Sequence, residues 1–245
     1  MGASGMFEER SLSKEYMDSP AFDARLARQS FRFIERVNRF LGGVRIVWSF
    51  VQNEASRLPA GEPLRILDVG SGSCDIPIAV SRRAIRAGIE IQFVCVERDI
   101  HAVQRARCQL DAAGDLPITL VHADIFEWMP RRPCHVAVGS MFFHHLADEQ
   151  IRSLVERLVP GACKRLLVND LVRCWPSLLG AHLLCLAESS RVRHDATLSV
   201  KRGFRGRELC DILAPLQDMQ VTCDHVWPYR VRAIVEAASE HGECE

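Results

Sequence analysis

A glycine-containing turn in the middle of the chain has the composition of a ligand-binding loop. Residues 67 to 75 read LDVGSGSCD, so an apolar run ends in an acid, Asp68, and is followed by Gly70 and Gly72. Glycine lets the backbone approach a ligand closely, and the free amides at the start of the following helix bind polar or anionic groups. The turn therefore predicts a small-molecule site, which also includes Ser71 and Asp75.

A second acid follows the next apolar run of strand length. That run is Ile91 to Val96, rich in branched and aromatic residues, and Glu97 comes directly after it. In a doubly wound sheet, a carboxylate at this place can accept hydrogen bonds from both hydroxyls of a ribose. The turn and Glu97 together predict a pocket for an adenosyl group.

A nicotinamide dinucleotide is a competing ligand, because its sites also combine a glycine turn with an acid after the second strand. Three features argue against it. Asp75 occupies the place of the third glycine in Gly-x-Gly-x-x-Gly, Asp68 adds an acid before the turn, and the turn follows a helical N-terminal segment. Two carboxylates would repel a pyrophosphate, whereas they would attract a sulfonium cation and an amino group.

The elements that must position these residues alternate between strand and helix. From Arg65 onward, short apolar runs alternate with amphipathic segments, which is the pattern of a doubly wound sheet. This predicts an α/β fold with a mainly parallel seven-stranded sheet. The predicted strands are Leu64 to Val69, Ile91 to Val96, Ile118 to Val121, Cys134 to Gly139 and Arg165 to Leu171, followed by a hairpin of Met219 to His225 and Arg230 to Val235.

Two segments fall outside this alternation. Residues 1–60 are predicted to form a helical N-terminal cap, and residues 61–245 the ligand-binding domain. Within that domain, residues 174–205 form an insertion expected to cover the substrate, and they include an apolar helix from Trp175 to Leu186. That helix is too short to span a membrane.

Composition narrows the classes of function. Of 245 residues, 48% are hydrophobic and 25% charged, which excludes a disordered or fibrous chain. Lys plus Arg and Asp plus Glu both number 31, so the protein has no overall charge that would attract nucleic acid. The ten cysteines are scattered, without zinc spacing, and predict reduced, mostly buried thiols and no metal site. The absence of a signal-like or membrane-spanning run predicts a cytoplasmic protein.

At these positions the sequence resembles the class I S-adenosylmethionine-dependent methyltransferases, from about Leu64 to the C-terminus. Asp68, Gly70 and Gly72 match the first motif, and the run from Ser140 to Leu146 matches the fourth. Cys74 departs from the family, which often has a glycine there. The resemblance implies S-adenosylmethionine as cofactor, with Glu97 on the ribose and Asp124 on the adenine amino group. It implies these cofactor-binding residues: Asp68, Gly70, Ser71, Gly72, Asp75, Glu97, Arg98, Asp124, Ile125 and Ser140.

A closer resemblance is to a bacterial branch often associated with type III polyketide synthases and akin to quinone-biosynthesis methyltransferases. Three runs carry it: Glu15 to Pro20, Val168 to Arg173 and Ser199 to Phe204. The resemblance implies a small-molecule acceptor, a hydroxyl on an aromatic or pyrone-type polyketide or related lipid. Methylation of a ring carbon is the nearest alternative. A protein that binds the cofactor without turnover is another.

Transfer of a methyl group to a phenol or enol requires loss of a proton. His144 and His145 follow the fourth strand at the carboxyl edge of the sheet, so either can be the general base. We favour His145 because the family's fourth motif places a histidine just before an apolar residue and a helix. In the alternative interpretation both histidines are structural. Asp170 is expected to orient a histidine or hold an acceptor hydroxyl.

Polar residues elsewhere are candidates for the acceptor site. Arg173 is expected to stabilise an oxyanion or to pair with Asp170. The predicted substrate-binding residues are Tyr16, Met17, Asn169, Arg173, His194 and Arg202. The first helix also carries Arg25, Arg28, Arg32, Arg36 and Arg39 at helical spacing, which indicates a solvated face or a docking face for an anionic partner or membrane surface. Nothing in the sequence indicates an oligomeric state.

Overall fold

A seven-stranded mixed sheet forms the centre of the protein. The computed structural model describes residues 9–18 and 23–238. The strand order is β3-β2-β1-β4-β5-β7-β6, with β1 to β5 parallel and β7 antiparallel to both β5 and β6. The strands are β1 (Leu64–Val69), β2 (Ile91–Glu97), β3 (Ile118–His122), β4 (Val136–Ser140), β5 (Arg165–Leu171), β6 (Met219–Val226) and β7 (Arg230–Ala237).

Eight α-helices surround the sheet in the described ranges. Two begin where the sequence places a capping aspartate: Asp23 accepts from Leu26 N–H at 2.7 Å and Asp99 from Ala102 N–H at 2.8 Å. The helices are α1 (Ala24–Phe40), α2 (Gly43–Ala55), α3 (Asp75–Ala87), α4 (Ile100–Ala113), α5 (Asp148–Leu158), α6 (Trp175–Leu184), α7 (Ser190–Arg202) and α8 (Glu208–Leu213).

The core lies on both faces of the sheet because the parallel strands carry apolar residues at consecutive positions. In β1, Ile66 packs with α2 and α3 on one face, whereas Leu67 and Val69 pack with α5 and α8 on the other. This two-sided burial is what a doubly wound α/β fold requires, and the predicted fold class is confirmed. No helix among the described residues is long and apolar enough to cross a membrane.

Two helices were not resolved by the sequence patterns. Residues 43–55 form α2, which packs against β1, β4 and β5, and residues 190–202 form α7 beside α6. The sequence does not separate them from the larger segments 1–60 and 174–205, because α2 is mostly apolar and α7 is mostly polar, so neither shows a clear amphipathic stripe. The predicted strand Cys134 to Gly139 is shifted to Val136–Ser140, so Ser140 ends the strand.

The prediction that all cysteines are reduced thiols is wrong for one pair. Cys210 on α8 and Cys223 on β6 form a disulfide, with their Cα atoms 6.1 Å apart. The two residues meet because α8 packs against β6, a contact that spacing along the chain does not reveal. Seven other described cysteines are free, and five of them are buried: Cys74, Cys95, Cys134, Cys163 and Cys185.

Candidate functional site

A cavity of about 860 Å³ lies at the carboxyl edge of the parallel strands. Asp68 of β1, Glu97 of β2, Ser140 of β4 and Leu171 of β5 reach it, because parallel strands bring their ends to the same edge. Helices α1, α6 and α7 and the N-terminal residues 12–17 close it from above. Both segments outside the strand–helix alternation therefore contribute walls to this cavity.

The glycine turn after β1 has the backbone geometry of a close-approach loop. Gly70 and Gly72 have φ of +64° and +55°, and a Cβ on Gly70 would lie 2.3 Å from the ring of Phe142. Cys74, at the place where the family often has glycine, also has a left-handed φ of 59°. The helix α3 then begins at Asp75, so the turn keeps a glycine-like backbone without a third glycine.

Replacement of Gly70 by alanine is expected to lower the free energy of unfolding by about 2 kcal/mol or more, because the new Cβ meets Phe142 and φ is positive. Gly88→Ala is the matched control: Gly88 has φ +67°, but nothing lies within 4 Å of its Cβ position. Urea unfolding of both variants measures the difference. Equal losses would show that Phe142 does not press against the turn.

Three carboxyl groups make the cavity acidic. Asp68, Asp75 and Glu97 all line it, and burial raises the pKa of each, well above the usual range for Asp68 and to about 6 for Asp75. For Asp68 the neighbouring carboxyls of Asp75 and Glu97 add to the effect of burial. Asn38 on α1 donates to Asp75 at 3.2 Å, which partly offsets its burial. Such a site favours a cationic ligand, which stabilises the ionised carboxylates.

Asp75 is expected to make the stability of the free protein fall as pH rises. Its folded pKa of about 6 lies above the ordinary value of 3.8, so the folded state holds this proton more tightly than the unfolded chain. Stability from this group is full below about pH 4 and is lost as pH rises through about 6, by roughly 3 kcal/mol.

Urea unfolding of the wild type and Asp75→Asn, at about pH 4 and about pH 7, measures this loss. The Asp75→Asn variant should not show this loss of unfolding free energy, whereas the control variant Asp111→Asn, at an exposed position, should show it. The same pH dependence in Asp75→Asn and the wild type would contradict the assignment.

Glu97 and Asp124 are held by backbone amides at the β2 and β3 ends. Glu97 accepts from Gly72 N–H at 2.8 Å and from the N–H groups of Arg98 and Asp99 at 2.7 Å. Asp124 accepts from Phe126 N–H and pairs with Arg98 at 3.1 Å. Glu97 Oε1 accepts two of these bonds, whereas Glu97 Oε2 and both oxygens of Asp124 each have a further lone pair for a ligand. Arg98, Asp124 and the buried Ile125 all line the cavity.

A buried histidine–aspartate pair follows β4. His144 Nδ1 lies 2.6 Å from Asp170 Oδ1, and the backbone N–H of His144 donates to Asp170 Oδ2 at 3.1 Å. Burial works to raise the pKa of Asp170, but the charge and hydrogen bond of His144 and the Leu171 N–H outweigh it and lower this pKa to about 2. The carboxylate thus fixes the imidazole ring with Nε2 as its remaining nitrogen.

The Nε2 atom of His144 has no hydrogen-bond partner among the described residues, although it is buried at the cavity wall. It lies 4.0 Å from Glu15 Oε1, and Glu15 is itself buried and accepts from Ser199 Oγ at 2.8 Å. A buried imidazole nitrogen in this state can accept a proton from a group bound in the cavity. Asp170 is paired with His144, whereas the sequence favoured His145 as the base.

His145 also lines the cavity, with its ring centre 4.2 Å from that of His144. One ligand atom from each of Glu15, His144 and His145 lies within 4.8 Å of the others. The sequence did not indicate this cluster, because Glu15 is far from both histidines along the chain. The absence of a metal site stays a prediction.

The predicted substrate residues divide into two groups. Met17 and Arg202 line the cavity, and Arg202 donates to the carbonyl oxygens of His144 and His145 at 3.2 and 2.9 Å. The other four lie outside the described cavity lining: Tyr16, Asn169, Arg173 and His194. Arg202 therefore holds the backbone of His144 and His145 in place.

Those four residues have other contacts. Asn169 donates to Ser140 Oγ at 2.9 Å, and Arg173 forms an ion pair with Glu208 at 3.0 Å. His194 is half exposed and its ring contacts Tyr16 edge-on. Their predicted roles in substrate binding stay predictions. Ser19 and Pro20 of the Glu15 to Pro20 run lie outside the described residues.

The N-terminal segment is fastened across the cavity. Asp195 accepts from the backbone N–H groups of Tyr16 and Met17 at 2.8 and 3.2 Å. Arg10 pairs with Asp148 at 2.7 Å and donates to Leu146 O at 2.8 Å. These contacts bring Glu15 to the histidines, so the segment contributes directly to the site.

Sequence reasoning missed Arg230, at the start of β7. Its side chain is almost fully buried and lines the cavity, and burial lowers its pKa to about 10. Nε donates to Leu41 O at 3.0 Å, but Nη1 and Nη2 have no hydrogen-bond partner among the described residues. Ser30 Oγ and Asn38 Oδ1 of the cavity wall are in the same state. The signal in the sequence was an arginine within a predicted strand, because a guanidinium buried in a sheet needs an anionic or hydrogen-bonding partner.

No protein-family model and no curated protein matches the sequence, but many solved structures match the fold. One is the plantazolicin methyltransferase BpumL in complex with SAH (S-adenosylhomocysteine), with a TM-score of 0.66 and 14% identity over 90% of this chain and 92% of that one. Another is a SAM-dependent methyltransferase from Aquifex aeolicus, with a TM-score of 0.59 and 14% identity over 88% and 99% of the two chains. The fold is that of the SAM-dependent methyltransferases.

A third match to this methyltransferase fold is the CMeT domain of the citrinin polyketide synthase. Its TM-score is 0.57, with 16% identity over 80% of this chain and 52% of that one. At these identities the comparisons establish the architecture.

Proposed function

We propose that this protein is an S-adenosylmethionine-dependent methyltransferase that acts on a hydroxyl oxygen of a small aromatic or polyketide-type molecule. The observation that carries the proposal is one cavity in which an acidic wall adjoins a buried histidine whose Nε2 has no partner among the described residues. The similar structures support it, since BpumL is described as a plantazolicin methyltransferase and its structure contains SAH. The acceptor class follows from the sequence resemblance.

The cavity residues fit the parts of S-adenosylmethionine. Asp68 and Asp75 suit its ammonium and sulfonium charges, which would offset the cost of burying these carboxylates. Glu97 would accept from the ribose hydroxyls, and Asp124 from the adenine amino group. Arg230 would bind the carboxylate, since its two Nη atoms have no hydrogen-bond partner among the described residues. When bound, the cofactor supplies an electrophilic methyl group.

The chain's own residues then handle the acceptor. His144 Nε2 would take the proton from the acceptor hydroxyl, while Asp170 holds the ring and stabilises the imidazolium. Glu15, 4.0 Å from Nε2, would accept a hydrogen bond from the acceptor and orient it. Most of the acceleration should come from alignment of the acceptor oxygen in the closed cavity. The N-terminal segment, α6 and α7 line the cavity and would limit the access of water to the bound acceptor.

A thermal-shift titration with S-adenosylmethionine, S-adenosylhomocysteine, NAD and NADP tests the cofactor. A ligand of the native state raises the melting temperature with concentration, so the two sulfur nucleosides should do so and the dinucleotides should not. Asp68→Asn and Glu97→Gln should abolish the rise, whereas the exposed Glu90→Gln should keep it. A rise in melting temperature with NAD or NADP alone would contradict methyl transfer and indicate hydride transfer instead.

Methylation of a ring carbon is the second candidate, because the citrinin CMeT domain shares the fold. The same His144–Asp170 pair would then remove a proton from an activated carbon. Incubation of phenolic and polyketide-like acceptors with isotopically labelled S-adenosylmethionine, followed by NMR of the product, distinguishes an O-methyl from a C-methyl group.

A further inference from the structure

Helix α6 presents apolar side chains on both sides. Its inner side contributes Ser177, Ala181 and Leu184 to the cavity wall. On the outer side, Leu179 and Leu183 are 60% and 59% exposed, and Leu186, just beyond the helix, is 69% exposed. Single exposed leucines are ordinary on a protein surface. These three lie on the same side of the helix that covers the cavity, and we call them the apolar ridge; none of the described residues covers it.

Arginines adjoin this apolar ridge. Arg36 of α1 pairs with Glu188, two residues after Leu186, and Arg193 donates to the carbonyl oxygens of Leu186 and Glu188 at 3.3 and 3.4 Å. The α1 stripe of Arg25, Arg28, Arg32 and Arg39 is exposed and continues from that point.

The acidic residues near this stripe do not neutralise its positive charge. Glu35 is held by Arg105 at 2.7 and 2.8 Å, and Glu188 by Arg36. Asp23 is exposed at the start of α1, where it caps the helix. The stripe therefore has a positive excess, although the whole chain has no net charge. Cys185, at the end of α6, is buried in one cluster with apolar residues of α1, so the apolar ridge and the arginine stripe adjoin there and make a basic, apolar surface.

We infer that this surface docks the protein onto an anionic lipid bilayer, from which a lipophilic acceptor enters the cavity beneath α6. Leucines of this ridge insert at the acyl boundary while arginines contact the lipid phosphates, the combination that interfacial helices use. A second copy of the chain fits the surface less well. A two-fold contact centred there would bring the arginine stripes of both copies together.

The docking stands on exposure and charge alone, whereas entry of an acceptor from the bilayer rests on the proposed methyl transfer. The two parts fail separately. Vesicle binding reports docking, and the melting-temperature rise with S-adenosylmethionine reports the cofactor site.

Cosedimentation with vesicles tests the docking surface. The wild type should bind vesicles of equal parts phosphatidylglycerol and phosphatidylcholine, and bind pure phosphatidylcholine weakly. Leu179→Glu/Leu183→Glu should abolish binding to both. Arg28→Gln/Arg32→Gln should weaken binding to the anionic vesicles by about fivefold for each arginine, and added salt should do the same.

Matched controls come from α3, whose C-terminal end lies at the opposite edge of the sheet from the cavity. Ile85 is 59% exposed and Arg82 and Arg86 are exposed. Ile85→Glu and Arg82→Gln/Arg86→Gln should bind vesicles like the wild type. All variants should keep the melting-temperature rise with S-adenosylmethionine, which shows that they fold.

Three results would overturn the docking proposal. The first is no binding of the wild type to anionic vesicles, and the second is equal loss in the α3 controls. The third is a dimer in sedimentation velocity that Leu179→Glu/Leu183→Glu dissociates without any vesicle binding by the wild type. In that case a second copy occupies the surface.

Discussion

Replacement of His144 by glutamine is expected to lower kcat by about a hundredfold to ten-thousandfold and to leave the affinity for S-adenosylhomocysteine unchanged. Glutamine keeps a polar side chain of similar length but cannot take the acceptor proton. The buried Nε2 at the cavity wall is then lost as a base, while the acids that bind the cofactor remain. Steady-state kinetics with a methylated acceptor and calorimetric binding of S-adenosylhomocysteine measure the two quantities.

His145→Gln is the matched control for this prediction. Its ring lies beside that of His144 but Asp170 pairs with His144, so we expect less than about a tenfold loss of kcat. Asp170→Asn should behave like His144→Gln in direction, because the amide no longer fixes the imidazole as a carboxylate does. A large loss in His145→Gln with a small one in His144→Gln would restore His145 as the base.

Replacement of Arg230 by methionine is expected to weaken S-adenosylhomocysteine binding by about tenfold to a hundredfold, since hydrogen bonds to a charged group contribute about 1.5–3 kcal/mol. Binding of 5′-methylthioadenosine, which has no carboxylate, should not change. The free variant should melt at the same or a higher temperature, because it no longer buries a guanidinium whose Nη atoms have no hydrogen-bond partner in the part of the chain that the structure describes. Calorimetry with both nucleosides and a melting curve check this.

Arg173→Met controls for the loss of a buried arginine as such. Arg173 pairs with Glu208 and donates to Gly203 O, so its replacement should lower the melting temperature and spare the ratio of the two nucleoside affinities. Equal weakening of both nucleosides in Arg230→Met would contradict a carboxylate contact. A rise confined to the KM of the acceptor would place the anion on the acceptor.

Much of the fold follows from local pattern. The sequence predicts β1 and β5 with the bounds that the structure shows, because a strand buried on both faces is a mainly apolar run of strand length. N-caps such as Asp23 and Asp99 are local in the same sense, since a capping side chain contacts only its own helix. The acids Asp68 and Glu97 are visible in the sequence because they lie at the carboxyl ends of such strands, one residue before the end of β1 and at the last residue of β2.

The contacts between distant segments could not be predicted in the same way. Asp170 could serve either histidine by sequence, and only the register of β4 on β5 and the turn after β4 pair it with His144. Glu15 reaches the histidines because α7 and Arg10 fasten the N-terminal segment. The Cys210–Cys223 disulfide depends in the same way on packing of α8 against β6.

The sequence alone thus determined the α/β fold and the acidic, glycine-bordered edge of the sheet, since both depend on residues that lie a few positions apart along the chain. The tertiary structure decided which histidine is paired with Asp170, that the buried Arg230 lines the cavity, and that Arg36 of α1 pairs with Glu188 beyond the end of α6. These depend on burial and on distances between segments brought together from far along the chain. Local propensity and periodicity contain no information about such distances.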